Sequence, residues 1–169
     1  MRYSLCNHWE FTEQWSDAFC RGEPVSCRPV RLPHTCRELP LHYADPSDYE
    51  MVCGYRRTLT VPDAPRVFLL FDGAAHQAEI YLNGQLAGQH QGGYTGFTIE
   101  ITDLVHRGTE NLLAVRLDTR EDPSLPPFGF VIDYLTYGGL YREVWLETSP
   151  QSRVSDLFVY TPTLTEAAV

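Results

Sequence analysis

From residue 54 onward, apolar residues alternate with polar ones in short runs broken by turn-forming residues. That is the period-2 signature of strands with one buried face. Tyr55, Arg57, Leu59 and Val61 share one face of a run that Pro62-Asp63 stops. In the next run Val67, Leu69 and Phe71 alternate with Phe68 and Leu70, which predicts a strand buried on both faces before Asp72-Gly73 ends it. Ala78, Ile80 and Leu82 face one way, and Gln77, Glu79 and Tyr81 the other. Asn83-Gly84 follows at once; both residues accept the positive φ of a type I′ turn, so a hairpin is predicted with Leu86 and Gly88 on its return strand. Phe97, Ile99 and Ile101 alternate with Thr98 and Glu100, and Thr102-Asp103-Leu104 reads as one capped helical turn ended by Gly108. Leu113, Val115 and Leu117 predict another strand. Leu140, Val144 and Leu146 predict one more, with Trp145 on its opposite face, and Leu157 and Val159 a last one.

The first 53 residues are irregular, with several Pro, and short strands are expected only near residues 9–11 and 28–32. No amphipathic helix of about ten residues or more is visible. The strands number eight or nine, at roughly the 8–12-residue spacing of sandwiches and barrels. The expected class is all-β, with a jelly-roll β-sandwich as the architecture.

Charge and composition narrow the function. The chain has 169 residues, room for one domain with a real core, and its hydrophobic share of 43% is that of a folded protein. A net charge of −9, with Arg56-Arg57 as the only adjacent basic pair, argues against nucleic acid and against an anionic membrane surface. No apolar run approaches the ~20 residues of a membrane helix. The start carries polar Ser4, Asn7 and His8 where a signal peptide needs an apolar stretch, so a cytoplasmic location is expected. The five cysteines, Cys6, Cys20, Cys27, Cys36 and Cys53, are odd in number and lack C-x-x-C spacing. They read as free thiols, with the meeting of one pair in space left open. His34, His76 and His90 read as structural hydrogen-bonding residues. With no His-x-His or His-x-x-x-His spacing, neither a metal site nor a cofactor is expected.

One stretch breaks the rhythm. Residues 119–139 form a long connection that contains Pro126-Pro127-Phe128-Gly129-Phe130 and Tyr137-Gly138-Gly139, with Asp133 as the charged residue of an apolar segment. Long ordered connections inside a compact domain are usually functional. For Phe128, Phe130, Tyr134 and Tyr137 the favoured reading is packing onto the sandwich, with a stacking platform for a flat ligand face as the alternative. Arg142 is expected to make an ion pair under the connection.

Six motifs, in order, carry a family resemblance. They are Leu32-Pro33-His34-Thr35, Tyr55-Arg56-Arg57-Thr58, Gln77-Ala78-Glu79-Ile80-Tyr81-Leu82-Asn83-Gly84, Gly92-Gly93-Tyr94-Thr95-Gly96-Phe97, Glu110-Asn111-Leu112-Leu113-Ala114-Val115 and Gly139-Leu140-Tyr141-Arg142-Glu143-Val144. Together they resemble the N-terminal sugar-binding domain of glycoside hydrolase family 2, which includes β-galactosidases, β-glucuronidases and β-mannosidases. Cys36 departs from the pattern, standing where the family usually has Trp, and residues 36–53 are hard to match.

The resemblance implies a jelly-roll domain over residues 1–153 and, over 154–169, the truncated start of an immunoglobulin-like domain, to be followed by a (β/α)₈ catalytic barrel. In such barrels two Glu residues perform retaining hydrolysis across ~5 Å. The acid/base Glu of the family normally follows Asn, and none of Asn7, Asn83 and Asn111 precedes Glu, so no catalytic residue is expected in this chain. By position within Asp133-Tyr134-Leu135-Thr136-Tyr137-Gly138-Gly139, Asp133 matches the family's substrate-contacting Asp, with Tyr134, Tyr137 and Phe128 as secondary candidates. The partner implied is a carbohydrate, a β-glycoside of galactosidase or glucuronidase type. An autonomous carbohydrate-binding module and a structural or oligomerisation domain stand as alternatives, and assembly into a homo-oligomer is left open.

Overall fold

The computed structural model describes residues 1–38, 45–125, 137–154, 156–163 and 165–168. They form a β-sandwich. One antiparallel sheet of six strands has the order β3-β2-β4-β9-β6-β7, built from Arg28–Val30, Trp9–Thr12, Val52–Thr60, Glu110–Asp118, Gln77–Leu82 and Gln85–Gln91. The facing sheet of four strands has the order β1-β10-β5-β8, from Arg2–Ser4, Val144–Ser149, Arg66–Phe71 and Phe97–Glu100. Helices α1 (Asp17–Cys20) and α2 (Pro46–Tyr49) are single turns, α1 capped by Ser16, whose hydroxyl accepts the Phe19 N–H at 3.2 Å. The all-β sandwich expected from the alternating runs is what the chain forms.

The alternation explains the core. Tyr55, Leu59, Val61, Val67, Leu69, Phe71, Ala78, Ile80, Leu82, Leu113, Val115, Leu117, Val144 and Leu146 are all buried in one cluster between the sheets. At Asn83-Gly84 both φ angles are positive, 54° and 79°, as the type I′ turn requires, and Leu82 pairs with Gln85 across it. The next turn differs in detail from its expectation. Leu104 N–H closes it onto the Ile101 carbonyl, but the Thr102 hydroxyl reaches across to accept the Val67 N–H at 3.0 Å. Thr102 therefore stitches the turn to β5.

The adjacent basic pair is consumed by backbone. Arg56 donates to the Phe19 and Glu23 carbonyls and pairs with Glu10 at 2.6 Å, while Arg57 donates to the Leu5 and Asn7 carbonyls. Both guanidiniums are thus turned to holding irregular N-terminal segments against β4, which is why those segments order without strands of their own.

Three expectations need correction. Strand β1 escaped the pattern because all three of its residues are exposed, so no alternation marks it. Leu157 and Val159 are 63% and 54% exposed and lie outside any strand; the terminal pairing is instead β11 (Tyr160–Thr163) with β12 (Glu166–Ala168), separate from both main sheets. Arg142 makes no ion pair among the described residues; its Nη1 donates to the Asp72 and Tyr94 carbonyls at 3.2 and 3.1 Å.

Candidate functional site

The long connection leaves the six-stranded sheet at the end of β9 and returns at Gly138-Gly139. Its departure is fixed by Thr119, which is fully buried although polar. The Thr119 N–H donates to the Met51 carbonyl, and its hydroxyl donates to the Tyr49 carbonyl and accepts the Met51 N–H, each at 2.9 Å. Its carbonyl accepts from His76 Nδ1 at 2.9 Å, which makes Nδ1 the protonated ring nitrogen. The preceding Asp118 grips Arg120 through Nε at 2.9 Å and Nη2 at 2.6 Å. Burial pushes the Asp118 carboxyl up, but the hydrogen bonds from Arg120 outweigh it and the carboxyl sits below its ordinary value.

The return is fixed with equal density. Gly138 O accepts the Cys36 N–H at 3.0 Å, Leu140 O accepts the His34 N–H at 2.9 Å, and Gly139 exchanges both backbone bonds with Ala75 at 3.1 and 3.2 Å. A side chain at Gly138 would overlap the Thr119 side chain, and one at Gly139 would overlap the His34 carbonyl. Gly139 also has φ +139°, a conformation few other residues adopt. Departure and return are therefore locked side by side against residues 33–36, 49–51 and 75–76. Whatever residues 120–137 carry is presented from a rigid base, which is what a positioned site needs.

Asp133, Tyr134 and Phe128 lie outside the described residues. Tyr137 is described, at the return shoulder, and keeps 53% of its surface in solvent.

Under the return shoulder lies a chain of polar groups that the sequence did not advertise. His34 Nδ1 is 2.8 Å from the Tyr55 hydroxyl, that hydroxyl is 3.7 Å from Cys36 Sγ, and Cys36 Sγ is 3.3 Å from Cys53 Sγ. Burial, helped by the charge of Arg28, lowers the His34 pKa to about 4, so the ring is neutral. Burial pushes Tyr55 well above its ordinary value. His34 and Cys36 line a groove of about 530 Å³ together with Glu13, Arg28, Arg37 and Glu38. His76 and His90 have the structural roles expected, His90 Nε2 lying 3.0 Å from Thr95 Oγ1. Among the described residues no group of three or more His, Cys, Asp or Glu converges as a metal site. No spacing rule could have found the Cys36–Cys53 approach, because the two thiols meet through tertiary packing across 17 residues.

Comparison with known proteins gives a consistent picture. The profile of the glycosyl hydrolases family 2 sugar binding domain matches residues 29–150. A β-galactosidase of Thermoanaerobacter pseudethanolicus is 38% identical over 133 residues, covering 76% of this chain and 18% of that protein. A β-glucuronidase of Bacteroides fragilis is 35% identical over 162 residues, covering 94% of this chain and 22% of that protein. The structure of Bacteroides uniformis β-glucuronidase 2, covalently bound to cyclophellitol-6-carboxylate aziridine, superposes with TM-score 0.76 at 30% identity, over 89% of this chain and 18% of that one. The chain thus spans about a fifth of the length of such relatives.

Proposed function

Because this chain belongs to the glycosyl hydrolase family 2 sugar-binding domains, we propose that it serves a retaining β-glycosidase, and that residues 119–139 help form the active site of a catalytic barrel on the same polypeptide. The observation that carries this reading is the doubly anchored connection, held at Thr119 on one side and at Gly138-Gly139 on the other. A base held on both sides is what lets a long connection present its residues in a fixed place.

Asp133 is the residue assigned to the sugar. A carboxylate accepts hydrogen bonds from two neighbouring hydroxyls and so fixes the orientation of the ring, and orientation is worth several kcal/mol of barrier. Tyr134, Tyr137 and Phe128 are the secondary contacts. The half-exposed ring of Tyr137 supports that assignment. The substrate is a β-galactoside or a β-glucuronide, the two activities named among the similar proteins. The jelly-roll winding and a cytoplasmic setting belong to the same reading. Partner domains in cis are supported by the apolar strip that the chain leaves open, with Leu157 at 63% and Phe158 at 76% exposure.

The test is Asp133→Ala in the intact protein, assayed on nitrophenyl β-galactoside and β-glucuronide. kcat/KM should fall on the order of 100-fold or more, with the unfolding curve unchanged. Near-normal kinetics would remove Asp133 from the active site.

A further inference from the structure

The function proposed above uses none of the five thiols, and two of them, Cys36 and Cys53, meet in the core. They lie 3.3 Å apart, sulfur to sulfur, with 1% and 0% of their surfaces exposed. All five thiols are unlinked. A disulfide needs about 2.0 Å between sulfurs, so closing the bond asks for roughly an ångström of side-chain movement and no rearrangement of strands. We infer that Cys36 and Cys53 form an oxidisable dithiol, a modification site for hydrogen peroxide or a small organic hydroperoxide, whose disulfide fastens the connection's return anchor to β4.

The two positions are unequal in access. Cys36 borders the groove lined by Glu13, Arg28, His34 and Arg37, large enough at about 530 Å³ to admit a peroxide, whereas Cys53 lies inside β4 and lines none of it. The hydrogen bond shared with Cys53 lowers the Cys36 pKa, and burial raises that of Cys53. Cys36, the one that borders the groove, is therefore the attacking sulfur and Cys53 the resolving one. The Cys36 sulfur displaces one peroxide oxygen as hydroxide, which takes up a proton to give water, and becomes a sulfenic acid. The Cys53 sulfur then attacks the sulfenic sulfur, the S–O bond breaks, and the second oxygen leaves as water. Two thiols lose two electrons and the O–O bond gains them.

The product has a structural consequence. The Cys36 N–H holds the Gly138 carbonyl, and Cys53 sits in β4, whose Leu117 partner belongs to β9. A Cys36–Cys53 bond would thus tie the return anchor covalently to the strand beside the departure strand. Thiol reductants would reverse it.

The experiment treats the intact protein with sub-millimolar hydrogen peroxide under native conditions, then unfolds it in iodoacetamide and maps peptides without reductant. A peptide linking Cys36 to Cys53, 2 Da lighter than the sum of its reduced halves, is expected, with Cys6, Cys20 and Cys27 alkylated. Dithiothreitol should restore both thiols. In Cys53→Ala the sulfenic acid should be trapped on Cys36 by dimedone. If that variant fails to fold, the wild-type peptide map decides by itself. Alkylation of both Cys36 and Cys53 after peroxide, a link between any other pair, or Cys36 carried to sulfinic acid beside a free Cys53 would each overturn the inference. Loss of glycosidase activity is not the readout, so failure of the Asp133 assignment leaves this test intact.

Discussion

A Cβ on Gly138 would overlap Thr119 Cβ and Cγ2, so Thr119, where the long connection begins, and Gly138, one residue before its end, pack with no room for a single extra carbon. Close contact of this kind gives a connection of some twenty residues a fixed base. Gly138→Ala and Gly139→Ala should each lower stability by about 1–3 kcal/mol, since the neighbouring Thr119 is packed and the His34 carbonyl is backbone that cannot swing away. In the intact protein both should also depress glycosidase turnover. Urea unfolding and steady-state kinetics check this; unchanged values for both variants would mean that the base is soft.

His34 sets a pH dependence. Its pKa in the folded chain is about 4, below the ordinary 6.5, because burial beside Arg28 disfavours the charged ring. The unfolded chain then binds more protons between these values, so the stabilisation is complete above pH 6.5 and is lost as pH falls toward 4. Glu100 acts lower down: hydrogen bonds from Arg66 and Thr102 hold its pKa near 2 against an ordinary 4.5, and its contribution disappears below pH 4.5. Thermal melts of the wild type should drop between pH 6.5 and 4, and His34→Gln should flatten that limb alone. A limb of equal steepness in the variant would reassign the effect.

Asn111 is 1% exposed, and its amide is fully used. Its Oδ1 accepts from Asn83 Nδ2 at 2.9 Å and from the His106 N–H at 2.7 Å, and its Nδ2 donates to the His106 and Thr109 carbonyls. Asn111→Ala removes four hydrogen bonds that tie the hairpin to the turn before β9, so a loss of about 2–4 kcal/mol is expected. Denaturant titration measures it, and a loss under about 1 kcal/mol would show that water replaces the amide.

The isolated chain should bind galactose or glucuronate with a Kd above about 1 mM, because one carboxylate and a few rings offer too little contact to offset the cost of association. Calorimetry decides. Micromolar affinity would favour an autonomous carbohydrate-binding module over a domain that completes another domain's site.

What the sequence determined by itself was everything written in short-range pattern. Alternation placed β4 to β9, because a residue's face in a strand follows from its parity alone, and Asn83-Gly84 set the hairpin because only certain residues accept positive φ. The resemblance, too, rests on local runs such as Gly92-Gly93-Tyr94-Thr95-Gly96-Phe97. Tertiary structure decided what depends on meeting across the chain. It tied the segments around Leu5, Asn7, Phe19 and Glu23 to β4 through Arg56 and Arg57, whose carbonyl partners carry no sequence signal. It turned Arg142 from an expected ion pair to carbonyl capping. It brought Cys36 to Cys53 and Gly138 to Thr119. Contacts of that kind are fixed by the packing of two sheets, and the spacing of residues along one strand holds no information about which strand will lie opposite.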